Sequence, residues 1–153
     1  MVNGNLLLAD VDAIVNTVNT IGVMGKGLAL QYKLAWPDNF KAYVRACQLG
    51  EVTPGRMFVY SLEGMFNPRF IVNFPTKRHW RDASRLEDIE TGLLALVDEI
   101  QQREIPSIAI PSLGCGCGGL DWNVVRSLIE QAFDDLPKIE VLLYSPQAEI
   151  VKQ

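Results

Sequence analysis

The sequence predicts an α/β fold, one undivided domain with a largely parallel sheet between helical layers. Apolar runs of strand length alternate with stretches of helical periodicity along the chain. The strand runs are apolar on both faces, so they need helices on both sides. The 153 residues fit a single domain, and no repeat, low-complexity tract or Ser-, Pro- or Gly-rich linker divides them.

In chain order, Ala13-Ile14-Val15 reads as the end of the first strand, and a glycine-rich loop follows from Asn16 to Gly27. Two weaker helical stretches follow Gly27 and Asp38. Met57-Phe58-Val59-Tyr60 and Phe70-Ile71-Val72 are the next strands. Ser84 with Glu87 three residues on is a capping-box signal, and Leu86, Ile89, Leu93, Leu96, Val97 and Ile100 then recur at helical spacing, so a helix is predicted from about Arg85 to Arg103. Ile108-Ala109-Ile110 is a strand. Asp121 can cap the last helix, which carries Val125, Leu128, Ile129, Ala132 and Phe133 on one side and stops before Pro137. Val141-Leu142-Leu143-Tyr144 closes the sheet. Ligands of such sheets lie outside the carboxyl ends of the strands, so the loops there are the place to look for function.

Composition narrows the classes. Hydrophobic residues make up 48% and charged residues 21%, ordinary values for a globular protein. Neither end shows a charged-then-apolar leader or a long apolar span, so a cytoplasmic protein without a membrane partner is expected. The net charge of −4 and the pI near 5.0 exclude a surface that coats nucleic acid nonspecifically, though not a local basic patch. Cys47, Cys115 and Cys117 are odd in number, and the last two are separated by one glycine, too close for a relaxed disulfide; a reducing compartment fits.

Two loops carry the chemistry. The first contains Gly22, Gly25 and Gly27, which let the backbone approach a ligand, and it leads into a helix whose N-terminal amides can receive an anion. It is not a P-loop, because Lys26 is followed by Gly27 where a magnesium-binding Ser or Thr is needed. The second runs from Pro111 through Ser112, Leu113, Gly114, Cys115, Gly116, Cys117, Gly118 and Gly119 to Leu120. Its glycines match a dinucleotide fingerprint formally, but the motif belongs to a first βαβ unit with a downstream acid, which the chain after this loop lacks. Two glycine loops at strand ends can hold a diphosphate from both sides.

A third segment, Thr76 to Arg85, follows a strand and contains the sole histidine, His79, with Lys77, Arg78, Arg81 and Arg85. Cations attract a phosphate backbone and Trp80 can stack on a base, the combination that single-strand binders use. Lys77, Arg78, His79, Trp80 and Arg81 are the expected DNA contacts. Cys47, Cys115, Cys117 and His79 make a formal zinc count, but their spacing resembles no paired-ligand knuckle, so neither a metal nor another cofactor is expected.

The segments Gly4-Asn5-Leu6, Asp12 through Asn19, Gly22 through Ala29 and Pro111 through Leu120 resemble the macrodomain pattern over nearly the whole chain. The resemblance implies a three-layer α/β/α sandwich with a mixed, largely parallel central sheet, and ADP-ribose as ligand or product. It places the adenine near Asn5, Leu6 and Tyr144. It places the diphosphate and distal ribose against Asn16, Thr17, Asn19, Gly22, Val23, Met24, Gly25, Lys26 and Gly27 of the first loop, and Pro111, Leu113, Gly114, Cys115, Gly116, Cys117, Gly118, Gly119 and Leu120 of the second. Within the family, Asn16 to Asn19, the loop Gly22 to Gly27 and Asn73-Phe74-Pro75-Thr76-Lys77 are most similar to the DarG-type antitoxin branch. That branch removes ADP-ribose from thymine in single-stranded DNA and opposes a partner ADP-ribosyltransferase toxin.

By this resemblance Lys77 is the expected catalytic residue, with Asn19 orienting it and His79 as a proton donor or base contact. Cleaving an N-glycosidic bond builds positive charge at the anomeric carbon, and a lysine can attack that carbon or stabilise the leaving base. Many macrodomains have an aspartate where this chain has Asn5, so the adenine amine must find an amide carbonyl, Asp10 or backbone. Hydrolases that release terminal ADP-ribose carry an aspartate where this chain has Gly118, with Asp121 the nearest acid. The competing readings are a reader that binds ADP-ribose without turnover and a hydrolase of ADP-ribosylated protein carboxylates. A monomer is expected, and the chain ends so soon after its last strand that it is expected to be a piece of a longer antitoxin.

Overall fold

The computed structural model of this chain describes Val2 and residues 4–146. A short 3-10 turn at Leu6–Leu8 is followed by β1 (Ala13–Val18), α1 (Gly27–Ala35), α2 (Pro37–Gln48), β2 (Phe58–Ser61), β3 (Phe70–Pro75), α3 (Leu86–Gln102), β4 (Ser107–Ile110), α4 (Trp122–Ala132) and β5 (Glu140–Leu143). The sheet order is β2-β3-β1-β4-β5. Neighbours run parallel except β2, which pairs antiparallel with β3 at one edge. At the other edge Val2 forms an isolated parallel bridge to Tyr144. The sheet is therefore mixed and largely parallel, as expected.

Alternation along β1 divides the core into two layers. Ala13 and Val15 pack with Val72, Phe74, Ile108 and Ile110 beneath α3 and α4, against Ile89, Leu93, Leu96, Val125 and Ile129. Ile14 points the other way, with Ile71 and Ala109, and meets Tyr32 of α1 and Leu6. Val18 joins Met24 and Tyr43 of α2 in a third cluster next to the site. Within α3, Gly92 is required by the close approach of Phe74, because a Cβ there would collide with the ring.

Several predicted boundaries move. The first strand does not end at Val15: it continues through Asn16, Thr17 and Val18, whose partners on β3 are Asn73, Phe74 and Pro75. The polar Asn16 is tolerated in a central strand because its Nδ2 donates to Asn73 Oδ1 at 3.3 Å, while Asn73 and Asn39 of α2 pair through their amides at 2.9 Å. Ser84 does not cap α3. The cap position is Arg85, without a side-chain hydrogen bond, and Ser84 is instead buried behind the second glycine loop. Asp121 caps α4 as predicted, accepting from Asn123 N at 2.9 Å.

Candidate functional site

The parallel strands β1, β3 and β4 deliver three loops to one end of the sheet. These loops, with the start of α1, enclose a cleft of about 430 Å³ lined by both glycine loops, Thr76, Lys77 and Trp80.

Loop one is built around Asn19, a residue almost fully buried at 7% exposure. Its Oδ1 accepts from Ile21 N at 3.1 Å and Val23 N at 3.3 Å, and its Nδ2 donates to Val23 O at 2.9 Å. Tyr43 Oη lies 2.8 Å from both the backbone oxygen and Oδ1 of Asn19, so α2 holds the hub from behind. Burial pushes the Tyr43 phenol well above its ordinary range, so it keeps the proton it donates. Gly22 takes a φ of +90° and Gly27 of +61°, which turn the chain into α1. Gly27, Leu28 and Ala29 line the cleft, and first-turn amides have no partner inside a helix, so this end can receive an anion.

Loop two is folded on itself, with Leu120 N donating to Gly114 O at 2.9 Å and Cys115 N to Ser112 O at 3.1 Å. Gly114 has a φ of +72°. A Cβ on Gly118 would collide with Ser84 Oγ and the Gly114 carbonyl, and Ser84 N donates to Gly118 O at 3.0 Å. This tight nesting leaves no room for an acidic side chain at position 118. The thiol of Cys115 points to Leu113 O at 3.4 Å, and Cys117 is exposed on the cleft wall.

The third loop follows β3. Lys77 is half-buried, and its Nζ donates to Trp80 O at 3.4 Å. Trp80 is 42% exposed and lines the cleft. The Arg81 guanidinium lies 4.7 Å from the centre of the Trp80 ring, with the His79 ring 5.4 Å away on the same indole.

Of the residues expected at the site, Thr17, Asn19, Val23, Gly25, Lys26, Gly27, Gly114, Cys115, Gly116, Cys117, Gly118, Lys77 and Trp80 meet in the cleft. Others do not reach it. Asn16 is buried in β1 with its amide on Asn73 and Met24 Sδ, so it supports loop one from beneath. Met24, Pro111 and Leu113 are buried, Leu120 packs on the core, and Gly22 sits against Val44 and Cys47. Gly119 carries a φ of +80° past the cleft wall. Leu6 and Tyr144 are packed with Ile14, and Asn5 Oδ1 accepts from Leu7 N at 3.0 Å, so the expected adenine residues have their side chains in the fold rather than in this cleft. Arg78 turns away to Asp88 of α3. The Asn19 amide is committed to Ile21, Val23 and Tyr43, and none of these hydrogen bonds runs to Lys77.

Val18, Leu28, Ala29, Thr76, Ser112 and Pro146 also line the cleft, beyond the residues expected as ligand contacts. Thr76 and Ser112 adjoin expected site residues, while Pro146 enters through the end of β5. Among the described residues lining the cleft none is Asp, Glu or His, and among the described residues no group of three or more His, Cys, Asp or Glu side chains could hold a metal. No helix among the described residues is long and apolar enough to cross a membrane.

The pattern of the Macro domain family matches residues 15–129. The chain is 55% identical over 145 residues to a DNA ADP-ribosyl glycohydrolase of Thermus aquaticus, covering 95% of this chain and 40% of that protein. It is 49% identical over 144 residues to a protein of the same name from Mycobacterium tuberculosis, covering 94% and 41%. The chain thus spans about two fifths of the length of these relatives. The solved macrodomain of Mycobacterium tuberculosis DarG superposes with a TM-score of 0.92, covering 93% of each chain, and that of Thermus aquaticus DarG with 0.91, covering 95% and 96%. Thermosipho africanus DarTG in complex with ADP-ribose superposes at 0.87 with 36% identity, covering 94% of this chain and 40% of that one.

Proposed function

This chain belongs to the Macro domain family, and on that premise we propose that it hydrolyses the bond between ADP-ribose and thymine in single-stranded DNA, reversing the action of an ADP-ribosyltransferase toxin. The observation that carries the reading is Lys77 in the cleft, between two glycine loops and an exposed Trp80. The loops and the α1 N-terminus hold the diphosphate through backbone amides. Trp80, flanked by His79 and Arg81, offers the indole on which a base stacks. The name of the relatives, DNA ADP-ribosyl glycohydrolase, supports ADP-ribosylated DNA as the substrate.

In the reaction water supplies the oxygen that bonds to the anomeric carbon, the carbon–nitrogen bond breaks with its electron pair to the thymine, and the thymine takes up a proton. Lys77 acts at the distal ribose, either as the amine that attacks the anomeric carbon before water does or as the ammonium that stabilises the departing base. Asn19 contributes by shaping loop one. The setting is a cytoplasmic monomer whose reaction repairs DNA by restoring the unmodified thymine, with the toxin as a partner. The Thermosipho africanus relative, named as a transferase–glycohydrolase fusion, supports that pairing.

The lack of a lining carboxylate favours one rival, a reader that binds ADP-ribose without turnover. One experiment separates them: release of ADP-ribose from a thymine-ADP-ribosylated oligonucleotide by the parent and by Lys77→Ala. Release by the parent, with loss in the variant and retained ADP-ribose binding, is the expected result. Binding without release by the parent refutes the hydrolase reading. Release unchanged in the variant refutes the role of Lys77.

A further inference from the structure

Arg78 stands next to Lys77 in sequence but works in the opposite direction. Its guanidinium forks onto Asp88 in the first turn of α3, with Nε 3.4 Å from Oδ2 and Nη2 3.3 Å from Oδ1. The Asp88 side chain is 8% exposed and that of Arg78 49%, so the pair sits at the edge of the core rather than in open solvent. The backbone oxygen of Arg78 is also occupied. Thr20 of loop one donates to it twice, from Oγ1 at 2.6 Å and from N at 3.3 Å. One residue therefore ties α3 to loop one, and it lies between Lys77 and the His79-Trp80 pair.

The geometry points to Asp88 and Arg78 as positioning residues that hold both Lys77 and loop one in place for the reaction, rather than Arg78 acting as a cation for DNA. Lys77 is anchored on its other side as strand β3 ends, where Thr76 N and Lys77 N approach Val18 O at 2.9 and 3.4 Å. Its Nζ donates to a carbonyl in its own turn, Trp80 O. The path of residues 78–80 then decides where the amine and the indole sit, and that path is fixed by the Asp88 fork and the Thr20 contacts. A misplacement of about 1 Å at a reacting group costs on the order of 100-fold in rate, so a clamp outside the cleft can control the chemistry. A lysine cannot reproduce the fork, because one ammonium does not span two carboxylate oxygens as a planar guanidinium does.

This inference rests on the hydrolase reading, and its test separates the two. The full chain is compared with Arg78→Lys and Asp88→Asn by steady-state release from the modified oligonucleotide, by binding of the unmodified oligonucleotide across a salt series, and by hydrogen exchange of the Thr20 amide. The clamp predicts that both variants lower kcat about tenfold with KM changed less than about threefold. It also predicts that both speed Thr20 exchange at least about tenfold, with the salt slope of binding unchanged. A phosphate contact by Arg78 predicts otherwise: Arg78→Lys keeps activity, Asp88→Asn tightens binding by freeing the cation, and a third variant in the same salt series, Arg78→Ala, lowers the slope by about 0.7, where the clamp leaves it unchanged. That outcome, or Thr20 exchange unchanged in both variants, overturns the clamp. If the parent releases no ADP-ribose, the hydrolase reading fails, and the exchange of Thr20 still decides whether the clamp exists. Arg78 is half-exposed, so Arg78→Lys keeps the test open should Asp88→Asn fold poorly.

Discussion

Replacing Asn19 by alanine removes the hub of loop one while leaving the remainder of the cleft lining in place. Without the amide, Oδ1 no longer accepts from Ile21 N and Val23 N, and Nδ2 no longer donates to Val23 O. Tyr43 Oη keeps the backbone oxygen of Asn19, so the buried hydroxyl is not stranded. At about 1 kcal/mol net for each hydrogen bond, the substitution takes roughly 3 kcal/mol from the ordered form of the loop. Part of that is lost in the free protein, and part must be supplied again when ligand orders the loop. A penalty on binding of about 1.5 to 3 kcal/mol corresponds to a fall in ADP-ribose affinity of roughly tenfold to 100-fold. Isothermal titration of ADP-ribose into the parent, Asn19→Ala and Lys77→Ala reads it directly. Lys77→Ala should bind within about threefold of the parent, because the loops and not the amine hold the diphosphate. An Asn19→Ala protein that also binds within threefold would refute the reasoning, since the loop would then hold its shape without the amide.

Other substitutions test the same packing logic. Gly118→Ala should weaken ADP-ribose binding more than about tenfold, and Ser84→Gly should not restore it, because the new Cβ still meets the Gly114 carbonyl after the hydroxyl is gone; recovery by titration would contradict this. Gly92→Ala normally favours a helix by about 1 kcal/mol. Here it should destabilise by about 1 to 3 kcal/mol in urea unfolding, because its Cβ meets the Phe74 ring, and Phe74→Leu in that background should recover part of the loss. Stability should fall at alkaline pH. Burial raises the phenols of Tyr32, Tyr43 and Tyr144 above the ordinary value of 10.0, so the unfolded chain releases those protons first. Their contribution is whole below about pH 10 and is lost as pH rises through the folded values, so Tyr43→Phe should show a shallower alkaline limb in chemical denaturation.

Much of this site could be read along the chain because it consists of backbone. Gly25, Gly27, Gly114 and Gly118 declare themselves in sequence, since few other residues allow such close approach or such turns, and both loops fall between the expected strand and helix. The Asp121 cap was legible for the same reason: its partner, Asn123 N, is two residues away. Ser84 shows the limit. A Ser with Glu three residues on is a local signal for a cap, but the hydroxyl is placed by its long-range packing against Gly114 and Gly118, and the cap falls on Arg85. The end of β1 escapes local reading likewise, because Asn16 reads as a loop residue until Asn73, distant in sequence and itself paired with Asn39, accepts from its amide.

By itself the sequence determined the α/β order of elements, the two glycine loops and the presence of Lys77 and Trp80 after the third strand, because these follow from local propensity, periodicity and backbone freedom. Only the tertiary structure decided that β2 runs antiparallel, that Asn19 is spent on its own loop with Tyr43 behind it, and that Arg78 faces Asp88 rather than the cleft. Each of those outcomes depends on a partner far along the chain. A side chain's direction is settled by the unsatisfied donors and acceptors it meets when the layers close, and sequence spacing does not record that.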